Sequence, residues 1–191
     1  DGIRDVERSR GLGDVYKRQI FANLSANNDI GRIYVRGGSI GSATTPVNIT
    51  AEHGGIERLD VSGGGIFTVA GVNIPTVDAT NGIAALGGPI GRIYVNGGSI
   101  QGAPIAAATS ISLISVRNGN LDSDVYAGTY IRTIDIRNGN LTSMVNAETG
   151  ISRIYLHSDL TGAVVRSGGP IDRIYATNIT NSIISSATDI G

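Results

Sequence analysis

An eleven-residue pattern that returns about every 20 residues limits this chain more than any other feature of its sequence. Ile30–Ile40, IGRIYVRGGSI, returns as Ile56–Ile66 (IERLDVSGGGI), Ile90–Ile100 (IGRIYVNGGSI), Ile111–Leu121 (ISLISVRNGNL) and Ile131–Leu141 (IRTIDIRNGNL). Looser copies open at Ile151 (ISRIYLHSDL) and Ile171 (IDRIYATNI), with the closing apolar residue one or two places early. Starts at 90, 111, 131, 151 and 171 lie 21, 20, 20 and 20 residues apart. A fixed period of this length marks repeat architectures, in which one unit buries its apolar face only when neighbours stack on it.

Within a copy the apolar residues fall at places 1, 4, 6 and 11, as in Ile131, Ile134, Ile136 and Leu141, with another near place 15, such as Val145. No 3.6-residue period fits. Places 4 and 6 are two apart and share one side of a short strand, which turns places 3 and 5 outward. Gly-Gly-Ser or Asn-Gly-Asn follows place 6, and residues that accept positive φ make a corner there. A second short strand then carries places 11 to about 15 before the chain turns into the next copy. Each copy reads as one coil, stacked in parallel on the next at about 4.8 Å. The expected fold is all-β: a single-stranded parallel β-solenoid (β-helix) of about 20 residues per coil and seven to eight coils. Right-handed coiling is expected, as for most parallel crossovers.

The first two spacings are longer, 26 from Ile30 to Ile56 and 34 from Ile56 to Ile90. The excess places an insertion near 67–82, and insertions in such stacks become loops on one face. Asp189-Ile190-Gly191 repeats Asp29-Ile30-Gly31, so residues 20–191 are expected to be a solenoid domain truncated at both ends, with flanking domains in a parent chain. Residues 1–19 differ in kind. They hold 9 charged residues against 22 in residues 20–191, and Lys17 is the only lysine. GLGDVYKRQ resembles translated sequencing-adapter sequence, and 1–19 is expected to be non-native or a disordered arm.

Composition removes several function classes. With no Cys there are no disulfides, thiolate metal sites or cysteine nucleophiles. A net charge of −1 lacks the basic footprint of a nucleic-acid binder. No apolar run reaches the roughly 18–20 residues of a membrane helix. The glycine-rich segments lack the Lys-Ser/Thr of a phosphate loop. Cofactors and metals are expected to be absent.

Two outward ladders remain as candidate sites. Arg32, Arg92, Arg153 and Arg173 at place 3, with Arg58, accompany Tyr34, Tyr94, Tyr155 and Tyr175 at place 5, where Asp60 and Asp135 also fall. Such a strip can bind an acidic glycan through guanidinium–carboxylate pairs and sugar stacking, or can be an ordinary exposed strand face of paired side chains. Asn118, Asn120, Asn138 and Asn140 should form a corner ladder of shared amide hydrogen bonds, a structural role. Asp122, Asp124 and Asp135 match paired-carboxylate sugar chemistry only weakly, and His53 and His157 stand alone, so no catalytic residue is assigned. The sequons at Asn23, Asn48, Asn140 and Asn178 follow from alternation of polar and apolar residues.

From residue 20 onward, the I-G-x-I-x-V-x-G-G-S-I copies at Ile30–Ile40 and Ile90–Ile100 resemble repeats of large secreted proteins of planctomycete-like bacteria. A second resemblance is to bactofilins, polymer-forming β-helices with shorter coils. The first implies a structural or adhesive segment at the cell surface or outside the cell, with polysaccharide or cell-surface material as partner. The second implies a filament module that self-associates end to end. A polysaccharide-degrading β-helix is the remaining alternative.

Overall fold

The computed structural model describes residues 15–68, 82–102 and 104–191. These residues form strands, turns and bends without a helix. Strands Val15–Lys17, Ile30–Arg36, Ile56–Ser62, Ile90–Asn96, Ile111–Arg117, Tyr130–Arg137, Gly150–Leu156 and Ile171–Tyr175 build one eight-stranded sheet, each pairing in parallel with the next. A second parallel sheet stacks Leu24–Ala26, Ile49–Ala51, Ile83–Ala85, Ile105–Ala107, Val125–Ala127, Met144–Ala147, Val164–Ser167 and Ile183–Ser186. A third line of parallel bridges joins Ile20, Ile40, Ile66, Ile100, Leu121, Leu141, Leu160 and Ile179. The chain is a parallel β-solenoid with one residue run per coil on each of three faces.

The sequence period produces this register directly. Place 1 stacks Ile30, Ile56, Ile90, Ile111, Ile131, Ile151 and Ile171. Place 4 stacks Ile33, Leu59, Ile93, Ile114, Ile134, Ile154 and Ile174, and all but the half-buried Ile174 are fully enclosed. Place 6 stacks Val35, Val61, Val95, Val116, Ile136 and Leu156 in the same core. Each such side chain stabilises the fold by about 1.5–3 kcal/mol, and β-branching suits a strand stacked on its own kind. The place near 15 becomes the column Leu24, Ile49, Ile83, Ile105, Val125, Val145 and Val165. Two residues later lies a column outside the apolar template of the repeat: Ala26, Ala51, Ala85, Ala107, Ala127 and Ala147, each fully buried.

The loose copies keep the columns by shortening the corner. Leu160 comes one place early and Ile179 two, yet each pairs with the residue of the coil before. Residues 15–17, within the segment expected to be non-native or disordered, form a strand on Ile33–Val35, and residues 1–14 lie outside the described residues. Of the insertion placed near 67–82, Phe67 pairs with Gln101, while residues 69–81 lie outside the described residues.

Candidate functional site

The corner after place 6 divides its labour among three residues. The first takes positive φ: Gly37 at 74°, Gly63 at 81°, Gly97 at 96°, Asn118 at 57° and Asn138 at 55°. The second has no room for a side chain, since a Cβ on Gly119 would sit 2.1 Å from the carbonyl oxygen of Gly98 and one on Gly139 1.9 Å from that of Gly119. The third caps the next coil. Ser39 Oγ accepts the Gly65 N–H at 3.2 Å, Ser99 Oγ accepts that of Asn120 at 2.9 Å, and Asn120 Oδ1 accepts that of Asn140 at 3.0 Å.

The expected Asn ladder is therefore two ladders. Asn138 Nδ2 donates to Asn118 Oδ1 at 2.9 Å, and Asn118 Nδ2 donates to Asn96 Oδ1 at 3.2 Å. Asn120 and Asn140 belong to the capping line instead. Two of the sequon asparagines cap in the same way on the next corner: Asn23 Oδ1 accepts the Asn48 N–H at 2.8 Å, and Asn48 Oδ1 accepts that of Gly82 at 2.9 Å.

On the long-strand sheet, place 3 brings Arg32, Arg58 and Arg92 into register, then Leu113, and later Thr133, Arg153 and Arg173. Place 5 runs Tyr34, Asp60, Tyr94, Ser115, Asp135, Tyr155 and Tyr175. The strip is continuous in register but interrupted in chemistry. Leu113 and Thr133 carry no charge, and Ser115 is buried.

Its first half is internally matched. Asp60, between Tyr34 and Tyr94, takes Arg58 Nε at 2.7 Å and Nη2 at 2.5 Å, while Arg92 Nε faces its other oxygen at 3.4 Å without hydrogen-bond alignment. The Asp60 hydrogen bond raises the Arg58 guanidinium above its ordinary value, so it stays charged throughout. Arg58 also lies over the Tyr34 ring at 5.3 Å, Arg92 over Tyr94 at 4.9 Å and Arg117 over Tyr94 at 5.5 Å. Arg32 pairs with Glu57 at 2.7 Å. These cation–π and ion-pair contacts leave the faces of both tyrosines occupied.

The second half is different. Tyr155 and Tyr175 meet with ring centroids 6.5 Å apart and planes tilted by 51°. Arg153 and Arg173 are exposed, in register, and without an ion pair, hydrogen bond or ring contact to any described residue. Asp135 is held by Arg137 at 3.2 Å and approached by His157 at 3.5 Å. Asp172 accepts the Ser152 hydroxyl at 3.0 Å.

The carboxylates weighed for sugar chemistry do not converge. Asp122 accepts Thr142 Oγ1 at 2.7 Å and Asp124 accepts the Met144 N–H at 2.8 Å, both beside the short-strand sheet, while Asp135 faces outward from the long-strand sheet. His53 Nδ1 lies 3.0 Å from the Asn27 carbonyl. Among the described residues, no three His, Asp or Glu gather into a cluster able to hold a metal ion. An open depression of about 370 Å³ is lined by Lys17, Arg18, Tyr34 and Arg36, the first two within the adapter-like segment.

No family model matches this chain, and no solved structure does. One curated protein aligns in part: the large ribosomal subunit protein uL3 of Leifsonia xyli subsp. xyli, 29% identical over 102 residues. That alignment covers 51% of this chain and 45% of the ribosomal protein, so the chain spans under half the length of its relative.

Proposed function

We propose that this chain is a structural or adhesive segment of a larger extracellular or cell-surface bacterial protein, with no catalysis of its own. The observation that carries the reading is the stacking itself. Three unbroken lines of parallel pairing enclose columns of aliphatic residues, and the polar side chains at the corners are spent on holding one coil to the next. Such a rod has stiffness and reach, and it repeats its outward side chains at a fixed spacing. Both properties suit a spacer that also touches extended material.

The partial alignment with a ribosomal protein lends no weight to RNA binding, because a net charge of −1 cannot neutralise a phosphate backbone. The adhesive reading is tested by retention on a panel of insoluble polysaccharides and bacterial cell-wall material. Replacing Tyr34, Tyr94, Tyr155 and Tyr175 together by alanine should weaken it. A chain that passes every support unretained refutes adhesion.

A filament module that self-associates end to end is the second reading, drawn from the parallel stacking of the coils and the resemblance to bactofilins. Light scattering over a concentration series decides: fibres favour the filament, and a strictly monomeric species opposes it.

A further inference from the structure

We infer that these rods associate side by side, the arginine-bearing long-strand sheet of one chain lying against the acidic flank of the short-strand sheet of a second copy. The charge is divided around the coil. From Ile30 to Tyr175 the seven long strands carry nine arginines against Glu57, Asp60, Asp135 and Asp172, a net of +5. The other described residues from 20 to 191 hold Arg166 and seven acids, a net of −6. The division does not come from the last coil, since leaving out Ile171–Tyr175 and Asp189 gives +5 and −5. A chain whose net charge is only −1 thus has a cationic face and an anionic one.

Within one chain the two sets do not meet. Arg32, Arg58, Arg92 and Arg137 pair with Glu57, Asp60 and Asp135 of their own sheet, whereas Arg117, Arg132 and Arg153 have no ion pair to a described residue. Asp122, Asp124 and Glu148 accept hydrogen bonds from Thr142, the Met144 N–H and Tyr126, all neutral donors, and flank the short strands Val125–Ala127 and Met144–Ala147. These three arginines and three acids lie on three consecutive coils with further coils on both sides. A polyanion would engage the arginines and leave the acids idle, and a polycation would do the reverse. A second copy uses both, with the same coil spacing of about 4.8 Å on either side of the contact. Exposed ion pairs are individually weak and screened by salt, so the contact needs several at once. Because the two patches differ, the contact is heterologous, leaves one patch of each sign free, and propagates from rod to rod. Such side contacts need neither foreign material nor an open chain end, which sets them apart from adhesion and from end-to-end filaments.

The test is sedimentation velocity of the full chain over a concentration series at low and high salt. The parent is expected to form larger species at about 20 mM NaCl and to return to monomer at about 300 mM, where charges are screened beyond roughly 6 Å. R117E/R132E/R153E and, separately, D122K/D124K/E148K should each weaken low-salt association about tenfold or more, and an equimolar mixture of the two should restore it, because the exchanged charges again oppose. D122N/D124N/E148Q keeps the side-chain acceptors for Thr142, Met144 and Tyr126 and should weaken association too, so the outcome does not hang on the lysine variant folding. Far-UV circular dichroism checks that each variant keeps its β-structure. A parent that stays monomeric at low salt overturns the inference, as does unchanged association in D122N/D124N/E148Q, or a mixture of folded variants that stays apart. Association that persists at high salt in every variant assigns growth to the chain ends, which favours the filament and removes the side contact. A parent that is monomeric alone but retarded in gels holding dextran sulfate gives the arginine face to an anionic polymer and also overturns it.

Discussion

Asn138 donates its side-chain amide to the Oδ1 of Asn118 one coil earlier, across 2.9 Å, and both residues hold left-handed backbone. One residue type thus meets two demands, since asparagine tolerates positive φ better than other side chains and its amide both donates and accepts. Substitution separates the two. Asn118→Gly removes the hydrogen bonds to Asn96 and Asn138 but keeps the turn, at a cost of about 1–2 kcal/mol. Asn118→Ala adds left-handed strain of about 1–2 kcal/mol more. Urea denaturation should therefore order the midpoints parent, glycine, alanine. Equal midpoints for the two variants would sink the backbone argument.

The neighbouring glycine is held by space. Gly119 does not have positive φ, yet its Cβ position lies 2.1 Å from the Gly98 oxygen, a backbone atom that cannot swing away. Gly37 is the converse, with φ 74° and nothing within 4 Å of its Cβ position. Gly119→Ala should force adjacent coils apart and lose about 3 kcal/mol or more, or prevent folding. Gly37→Ala should lose only the local strain of about 1–2 kcal/mol. Parallel thermal melts of the two variants check the order, and a milder effect at Gly119 than at Gly37 would contradict it.

Much of this was legible from the period alone. Ile131, Ile134, Ile136 and Leu141 give inward and outward positions by counting, because strand alternation and a fixed repeat leave no freedom. The alanine column from Ala26 to Ala147 was not. Its strands are only three or four residues long, and a buried methyl looks the same in sequence as any small residue. Nor was the division of the Arg and Tyr strip visible. Place 5 already aligns Asp60 with Tyr34 and Tyr94, but which guanidinium its carboxylate takes and which ring that guanidinium covers depend on side-chain conformation, and the Arg58–Asp60 and Arg58–Tyr34 contacts are what make the first half self-paired.

Ser123 and Ser143 test how polar groups are tolerated inside the coil. Ser143 donates to the Leu121 carbonyl at 3.2 Å, whereas the Ser123 hydroxyl is fully buried with no partner. A coil later the same place is Ala163, also buried, so a methyl fits there. Ser123→Ala should be neutral or stabilising by about 1 kcal/mol, and Ser143→Ala destabilising by about 1 kcal/mol. Chemical denaturation of the pair gives the comparison. A loss at Ser123 equal to that at Ser143 would show that the hydroxyl has a partner after all.

Alkaline pH should loosen the short-strand sheet through Tyr126. Its hydroxyl donates to Glu148 Oε1 at 2.9 Å, and burial, followed by that hydrogen bond and the nearby carboxylate charge, raises its pKa above the usual 10.0. A group raised in the folded state binds its proton more tightly there than in the unfolded chain. Its contribution to stability is therefore complete below the unfolded value of about 10 and disappears as pH climbs through the higher folded value. Urea midpoints measured from pH 8 upward should fall above about pH 10, and Tyr126→Phe should flatten part of that fall while losing the Glu148 bond at neutral pH. An identical alkaline slope in the phenylalanine variant would assign the effect to other tyrosines and remove Tyr126 from the account.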